Sequence, residues 1–466
     1  MRLRNKHYEI DMLNGPVMPK LLSFALPLML SSMLQLTFNA ADVIVVGRFE
    51  GDAALAAVGA PGPLINLLVN LFMGLSVGAN VVVAQCCGAG NYKDIRDSVH
   101  TSVALSLIGG VLVGLVGFFL SGTFLSMMNT PPEVLPLATD YMRIYFLGMP
   151  ANMLYNFGAA ILRAVGDTRR PLTYLTISGV VNVALNLFFV IALGMGVSGV
   201  ALATIISQVI SAVLVLLCLM RSDGAIKLEL KQLRLDMNKV ARITRVGLPA
   251  GLQGMVFSIS NVLIQSTVNS FGKVVVAGNT TASNLEGYVY VAMNSIYQAA
   301  ITFTGQNVGA KRYERISRVC RDALMAVFGI GAALGGLLML FRHTLFGIYT
   351  ADEAVIAAAG IRTTIIAPTY FLCGMMDTMV GMLRGMGSSV LPMVVSIMGA
   401  CVLRIIWILT IFRMDPTLTM LYLSYPVSWA VTFATHFACY LVVKRKFPAG
   451  AVKAGNLETR NDSKQG

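Results

Sequence analysis

Long apolar stretches alternate with short polar segments along almost the whole chain. A helix needs about 20 predominantly apolar residues to cross the ~30 Å hydrocarbon core of a bilayer. Twelve stretches satisfy this length, at 20–47, 53–86, 96–120, 134–162, 172–193, 197–220, 240–270, 274–308, 319–341, 354–383, 390–411 and 417–443. The pattern therefore predicts an all-α, polytopic membrane protein with twelve transmembrane helices.

Three short blocks of sequence occur twice, in the same order and about 221 residues apart. The matching positions are Gln85, Gly88 and Tyr92 with Gln306, Gly309 and Tyr313, then Leu162, Arg163, Gly166 and Pro171 with Leu383, Arg384, Gly387 and Pro392, and Leu26-Pro27 with Leu248-Pro249. An internal repeat in so apolar a chain is typical of two-lobed membrane transporters. We predict two pseudo-symmetric six-helix lobes: 1–225, ending in a cytoplasmic linker, and 226–466, with a basic cytoplasmic tail.

Composition and charge support a lipid environment and suggest an orientation. The chain is 56% hydrophobic and only 12% charged, with a mean hydropathy of +0.73. Most of its 35 lysines and arginines fall on the side that holds both termini, which predicts that both termini are cytoplasmic. The net charge of +13 is then explained by topology and by attraction to anionic lipid headgroups. No soluble basic domain is predicted, so a nucleic-acid partner is not expected.

Several chemical functions lack the residues that they require. The seven cysteines form no CxxC pair and the four histidines are scattered, so neither disulfides nor a metal site is predicted. No phosphate-binding GxxxxGK[ST] loop occurs, and no nucleophile–base pair is visible. We therefore expect a transporter without an organic cofactor rather than an enzyme. It would draw on a gradient of H⁺ or Na⁺, with no ATPase partner expected.

Polar residues in the first half form a candidate site for the coupling ion. Asp42 lies inside the first apolar stretch, where a carboxylate is costly and therefore a functional candidate. Asn39 is one helical turn earlier, Asn182 and Asn186 are one turn apart in the fifth stretch, and Thr204 is in the sixth. These residues would bind and release a proton or a cation. The alternative is that their polar groups only hold helices together.

The second half offers three charged candidates, each open to two interpretations. Glu286 and Asp377 are acids inside predicted spans, and Arg404 is the one basic residue deep in a span of this half. Either a buried ion pair with Arg404 or direct contact with substrate would explain the two acids. Pro27 and Pro249 interrupt the backbone hydrogen bonds of the first helix of each half, and each marks either a hinge or a static kink.

Some of these blocks resemble the multidrug and toxic compound extrusion (MATE) family, in its DinF-like branch. They are the run 36–42 continuing through Val46-Gly47, the run 305–310, and the run 162–168 with its second-half copy. The resemblance implies twelve helices in two lobes around a V-shaped central cavity. It also implies export of amphipathic, often cationic compounds in exchange for protons or sodium, with the ion bound at Asp42, Asn182, Asn186 and Thr204.

Two departures from the family pattern favour protons as the coupling ion. Asn186 stands where well-known relatives have an aspartate, so the site has one carboxylate rather than two. The sodium-coupled NorM branch has a glutamate shortly after the proline of helix 7, but none follows Pro249 here. Asp377 lies in the helix where that branch also has an acid, about one turn away from the corresponding position.

The resulting prediction is a multidrug-efflux antiporter of the cell inner membrane that works by alternating access. One alternative is a flippase for lipid-linked oligosaccharides or peptidoglycan precursors, which would need a strongly cationic cavity. The chain has only Arg404 deep in a helix to supply it. The other alternative is a structural or sensor membrane protein that transports nothing.

Overall fold

The computed structural model describes residues 9–128 and 130–447, and every long element among them is a helix. The helices are α1 Val17–Phe49, α2 Gly51–Gly59, α3 Gly62–Ala89, α4 Tyr92–Met127, α5 Leu135–Leu147, α6 Met149–Ala164, α7 Arg169–Leu187, α8 Gly196–Arg221, α9 Met237–Asn269, α10 Lys273–Gly309, α11 Tyr313–Leu340, α12 Arg342–Gly347, α13 Glu353–Ile366, α14 Tyr370–Gly385, α15 Val390–Ser396, α16 Leu403–Leu409, α17 Ile411–Met414 and α18 Leu418–Lys444. Two π-helical segments, Phe188–Ala192 and Ile397–Val402, continue α7 and join α15 to α16.

Each of the twelve predicted spans falls on one helix or on consecutive helices, which confirms an all-α, polytopic membrane protein. Ten segments of the described residues are individually long and apolar enough to cross a bilayer. The other two predicted spans correspond to α5–α6, which Gly148 divides, and to α10, which carries many polar residues. The orientation of the termini stays a prediction, and residues 1–8 and the basic tail at 448–466 lie outside the described residues.

The described residues group into two compact units whose sequence segments are interleaved. Unit 1 contains residues 9–10, Leu30–Cys87 and Asn91–Gly254, and unit 2 contains Asp11–Met29, Gly88–Gly90 and 255–447. The chain therefore changes units inside α1 and inside α9, and the predicted linker near residue 225 lies within unit 1. Both helices have 33 residues, about 50 Å at 1.5 Å per residue, and are long enough to contribute to two units.

Two of the changes of unit occur shortly after a proline inside a helix. Unit 2 gives way to unit 1 between Met29 and Leu30, shortly after Pro27. Unit 1 gives way to unit 2 between Gly254 and Met255, shortly after Pro249. Proline lacks the amide hydrogen that would bond to the preceding turn, so the helix is locally easier to bend at these points.

Glycines allow helices α3 and α9 to approach closely within unit 1. A Cβ added at Gly74 would lie 2.1 Å from the backbone nitrogen of Gly251, and one at Gly78 would lie 2.2 Å from the carbonyl oxygen of Ile243. Lipid tails are as apolar as the side chains, so close backbone packing is a main source of stability between membrane helices. These glycines therefore determine how near α3 lies to α9.

We expect Gly74→Ala to lower the melting temperature of the detergent-solubilised protein. The added methyl group would meet backbone atoms that cannot move aside, and such overpacking typically destabilises by about 1–3 kcal/mol. Gly62→Ala in the same helix is the matched control, because a Cβ there would have no heavy atom within 4 Å. A melting temperature of Gly74→Ala equal to or above that of Gly62→Ala would contradict this prediction.

In unit 2, helix α10 packs against several others and contains a long buried face. Its buried residues include Asn279 and Glu286 as well as apolar residues such as Met293, Ile296 and Phe303. Gly331 and Gly374 bring α11 and α14 against the side chain of Met293, since a Cβ at either would lie within 3 Å of its sulfur. The buried polar residues Asn279 and Glu286 therefore lie inside the unit, whereas Thr280 and Asn284 of the same helix are exposed.

Candidate functional site

Asp42 lies against the two asparagines of α7 within unit 1. The Asn186 side-chain amide donates a hydrogen bond to the Asp42 carboxylate, and the same nitrogen is 3.4 Å from Asn182 Oδ1. Asn182 and Asn186 are buried, while Asp42 is half-buried. The structure thus brings together three of the five residues that the sequence predicts for this site.

The position of α1 against α7 depends on a close contact one turn before Asp42. A Cβ added at Gly179 of α7 would lie 1.9 Å from the Phe38 ring. The absence of a side chain at position 179 lets this ring pack onto the helix and holds Asp42 within reach of Asn186. Two residues after Asn186, the helix widens into the π-helical segment Phe188–Ala192. Such segments are frequent at functional sites.

Asn39 and Thr204 are not joined to Asp42 by any hydrogen bond of the described residues. Asn39 is exposed, and the Thr204 hydroxyl donates to the Val200 carbonyl oxygen of its own helix at 3.0 Å.

The charge of Asp42 has no cationic partner in the part of the chain that the structure describes. None of the ion pairs there includes this carboxylate. The side-chain oxygen of Asn186 is buried without a hydrogen-bond partner among the same residues. A carboxylate with an amide donor and a nearby unused acceptor is chemically suited to take up a proton or a small cation, because either would neutralise the charge.

Unit 2 contains a buried ion pair between α10 and α13. Arg362 Nη2 donates to Glu286 Oε2 at 2.7 Å, and Arg362 Nε lies 3.1 and 3.2 Å from the two carboxylate oxygens. Arg362 Nη1 also donates to Asn279 Oδ1 at 2.8 Å. Glu286 is 2% exposed and Arg362 is 8% exposed. The carboxylate is thus neutralised by a forked arginine contact, the strongest geometry available to this pair.

Pairing of Arg404 with Glu286 or Asp377, one of the two sequence interpretations, is wrong. Arg404 Nε donates to Ser428 Oγ at 2.7 Å, and none of the ion pairs among the described residues includes Arg404. Its guanidinium instead lies 4.3 Å from the ring centroid of Tyr425 and 5.6 Å from that of Trp429. Glu286 is already paired with Arg362, and Asp377 belongs to none of the ion pairs among the described residues.

These groups line a cavity of about 410 Å³ that lies wholly within unit 2. This volume falls in the range of small-molecule binding pockets, about 300–1,000 Å³. Its wall includes both acids and both arginines, together with Tyr425 and Trp429. Sequence reasoning missed the aromatic wall, although Tyr425 and Trp429 are four residues apart and so lie on one face of α18.

Comparison with known proteins gives the family. The MatE family model matches two regions, 27–188 and 249–410. These coincide with the two copies of the repeat. The probable multidrug resistance protein YoeA of Bacillus subtilis (strain 168) is 27% identical over 434 residues, which cover 91% of this chain and 93% of that protein. A protein of Shewanella oneidensis named FAD transporter is 23% identical over 361 residues, covering 76% of this chain and 77% of its own.

A solved structure has the same fold. It shows the outward-facing conformation of a multidrug resistance MATE family transporter of the MOP superfamily. The TM-score is 0.89 at 23% identity, with 96% of this chain and 99% of that chain covered. The family model matches well over half of the chain, in two regions of equal length. The chain therefore belongs to the MatE family, whose members are secondary membrane transporters of small molecules and not enzymes.

Proposed function

We propose that this transporter exports amphipathic, often cationic compounds by alternating access, in exchange for protons in preference to sodium ions. The observation that carries the proposal is the Asp42 carboxylate, which is held by the Asn186 amide within unit 1 and has no cationic partner among the described residues. A membrane-embedded acid of this kind is a functional candidate because its charge is costly at depth.

The geometry at Asp42 favours a proton over sodium. A metal ion that prefers oxygen ligands, as sodium does, is usually held by several of them, whereas a proton needs only one carboxylate oxygen. Here the Asn186 nitrogen, a donor, is directed at the carboxylate, and its hydrogen would oppose a cation at the same oxygen. The single carboxylate also gives the site little negative charge with which to attract sodium.

In the proposed cycle, protonation of Asp42 changes the balance between two packings of α1. The ionised carboxylate favours the substrate-loaded state, and the neutral form favours release to the outside. Pro27 acts as the hinge of α1, and Pro249 acts as its counterpart in α9. The changes of unit just after both prolines support this assignment. A ligand shifts such an equilibrium only by its difference in affinity for the two states, here a difference in proton affinity.

The proposed location is the cell inner membrane, with both termini in the cytoplasm. The distribution of lysine and arginine in short loops supports this orientation. No organic cofactor and no ATPase partner belong to the proposal, because the ion gradient supplies the energy. The flippase alternative would need several unpaired cations, and the cavity in unit 2 has Arg404 as its only arginine without a carboxylate partner.

The test is an efflux assay in sealed liposomes containing the purified protein. An organic cation such as ethidium is loaded, and pH and sodium gradients are imposed separately. We expect a pH gradient to drive export of the organic cation. A sodium gradient with the same concentration ratio should drive little export. Export driven by sodium alone would reject the proton assignment, and no gradient-dependent export of any organic cation would reject the proposed function.

A further inference from the structure

The cavity in unit 2 contains one arginine that forms no ion pair with a carboxylate among the described residues. Glu286 is bonded to Arg362 through both of its oxygens. Asp377, the other acid of the cavity wall, belongs to none of the ion pairs among the described residues. Arg404 lacks any such partner among the described residues and donates only from Nε, to the neutral hydroxyl of Ser428. Arg404 is therefore the arginine of the cavity wall that no carboxylate pairs with among the described residues.

The surroundings of Arg404 are unusual for a lone buried arginine. The residue is only 7% exposed yet contributes to the cavity wall. Tyr425 and Trp429 lie beside its guanidinium, so the aromatic faces stabilise the cation in place of water. With Nε bonded to Ser428, the two terminal nitrogens keep the fork of donors that matches a carboxylate.

The aromatic rings provide a second recognition element at the same place. Tyr370 and Tyr425 both pack against Trp429, at ring-centroid distances of 5.3 and 5.7 Å. The three rings and Arg404 all line the cavity. A planar ring can pack against such a wall while an acidic substituent reaches the guanidinium. Arg404 is the second residue of α16, which directly follows the π-helical segment Ile397–Val402.

We propose that the cavity of unit 2 binds aromatic monocarboxylates, with Arg404 holding the carboxylate and Tyr425 and Trp429 packing against the ring. A singly charged carboxylate fits better than a phosphate monoester, because a dianion would leave one negative charge uncompensated beside Glu286 and Asp377. Export of such molecules rests on the proposed function, whereas their binding does not. A failed binding test and a failed efflux test are therefore distinguishable.

Intrinsic fluorescence of the full-length protein in lipid nanodiscs tests the proposal. The chain has two tryptophans, Trp407 and Trp429, and Trp429 lines the cavity. In a Trp407→Phe background, emission reports on Trp429 alone. The quenching probes are para-nitrobenzoate, para-nitrobenzyl alcohol, para-nitrobenzylammonium and para-nitrophenyl phosphate. We expect the carboxylate to bind at least about tenfold more tightly than the other three, as expected for a charge-assisted, forked contact.

Variants locate the binding site. Arg404→Gln should weaken para-nitrobenzoate binding by about ten- to a hundredfold, because it removes a charge-assisted hydrogen bond. The affinity of Arg404→Lys for para-nitrobenzoate should lie between that of Arg404→Gln and that of the unmodified protein. Lysine keeps the positive charge but loses the two parallel donors of the guanidinium. Arg143→Gln, which alters an exposed arginine of unit 1, is the matched control and should change nothing.

The proposal is overturned by either of two results. One is equal quenching by the carboxylate, the alcohol and the ammonium probe, a comparison that needs no Arg404 variant and so does not depend on how such a variant folds. The other is an unchanged affinity for para-nitrobenzoate in Arg404→Gln. Tighter binding of para-nitrophenyl phosphate than of the carboxylate would show that the site recognises phosphate and would equally reject the monocarboxylate assignment.

Discussion

Replacing Asp42 by asparagine is expected to abolish efflux driven by a pH gradient, lowering the initial rate by at least about tenfold. Asparagine has nearly the same shape and can still bond to Asn186, but it cannot take up or release a proton. The driving force for exchange would therefore be lost while the packing of α1 on α7 is retained. The measurement is export of an organic cation from liposomes under an imposed pH gradient.

The control for this prediction is Asp140→Asn, which removes an exposed acid of α5 in the same unit. It should transport at the rate of the unmodified protein. The melting temperature of Asp42→Asn in detergent should stay within a few degrees of that protein, since the substitution leaves no buried charge. Undiminished pH-driven export by Asp42→Asn would exclude this carboxyl group as the coupling site.

Removing the charge of Glu286 is expected to produce the largest loss of stability. Glu286→Gln keeps the side-chain volume but leaves Arg362 buried without its carboxylate partner. Breaking a buried ion pair by removing one member typically costs about 3–5 kcal/mol. Asn279 would still accept from Arg362, but a neutral amide compensates the charge only in part. Thermal unfolding in detergent, followed by intrinsic fluorescence, measures the effect.

Two further variants separate the effect of charge from that of general disturbance. The double variant Glu286→Leu with Arg362→Met removes both charges, and it should melt closer to the unmodified protein than Glu286→Gln does. Glu229→Gln breaks the exposed pair with Arg96, for which about 0–1 kcal/mol is expected. If Glu286→Gln melts no lower than Glu229→Gln, the buried pair does not stabilise unit 2.

The fold was largely predictable because lipid imposes strong and simple constraints. A spanning segment must be long, apolar and internally hydrogen-bonded, so all twelve stretches of the sequence coincide with helical segments of the structure. The two-unit arrangement was harder to predict. Its boundaries inside α1 and α9 depend on which helices pack together, and the sequence marks them only through Pro27 and Pro249.

The candidate sites were predictable to different degrees. Asp42, Asn182 and Asn186 could be selected from the sequence, because polar residues at helical spacing are conspicuous in apolar segments. The pairing of Glu286 with Arg362 was not, because the two residues are 76 positions apart on helices α10 and α13. Charge type alone allowed Arg404 or Arg362 as the partner of Glu286, and only the packing of these helices distinguishes them.

The amino-acid order alone therefore determined the environment, the number of helical segments, the internal repeat and the acid around which coupling is proposed. These properties follow from local composition, because each apolar segment meets the demands of the bilayer independently of the others. The tertiary structure decided which buried charges are neutralised and which, like Asp42 and Arg404, keep no partner of opposite charge among the described residues. That outcome depends on contacts of a few ångströms between helices far apart in the chain, which no local pattern encodes.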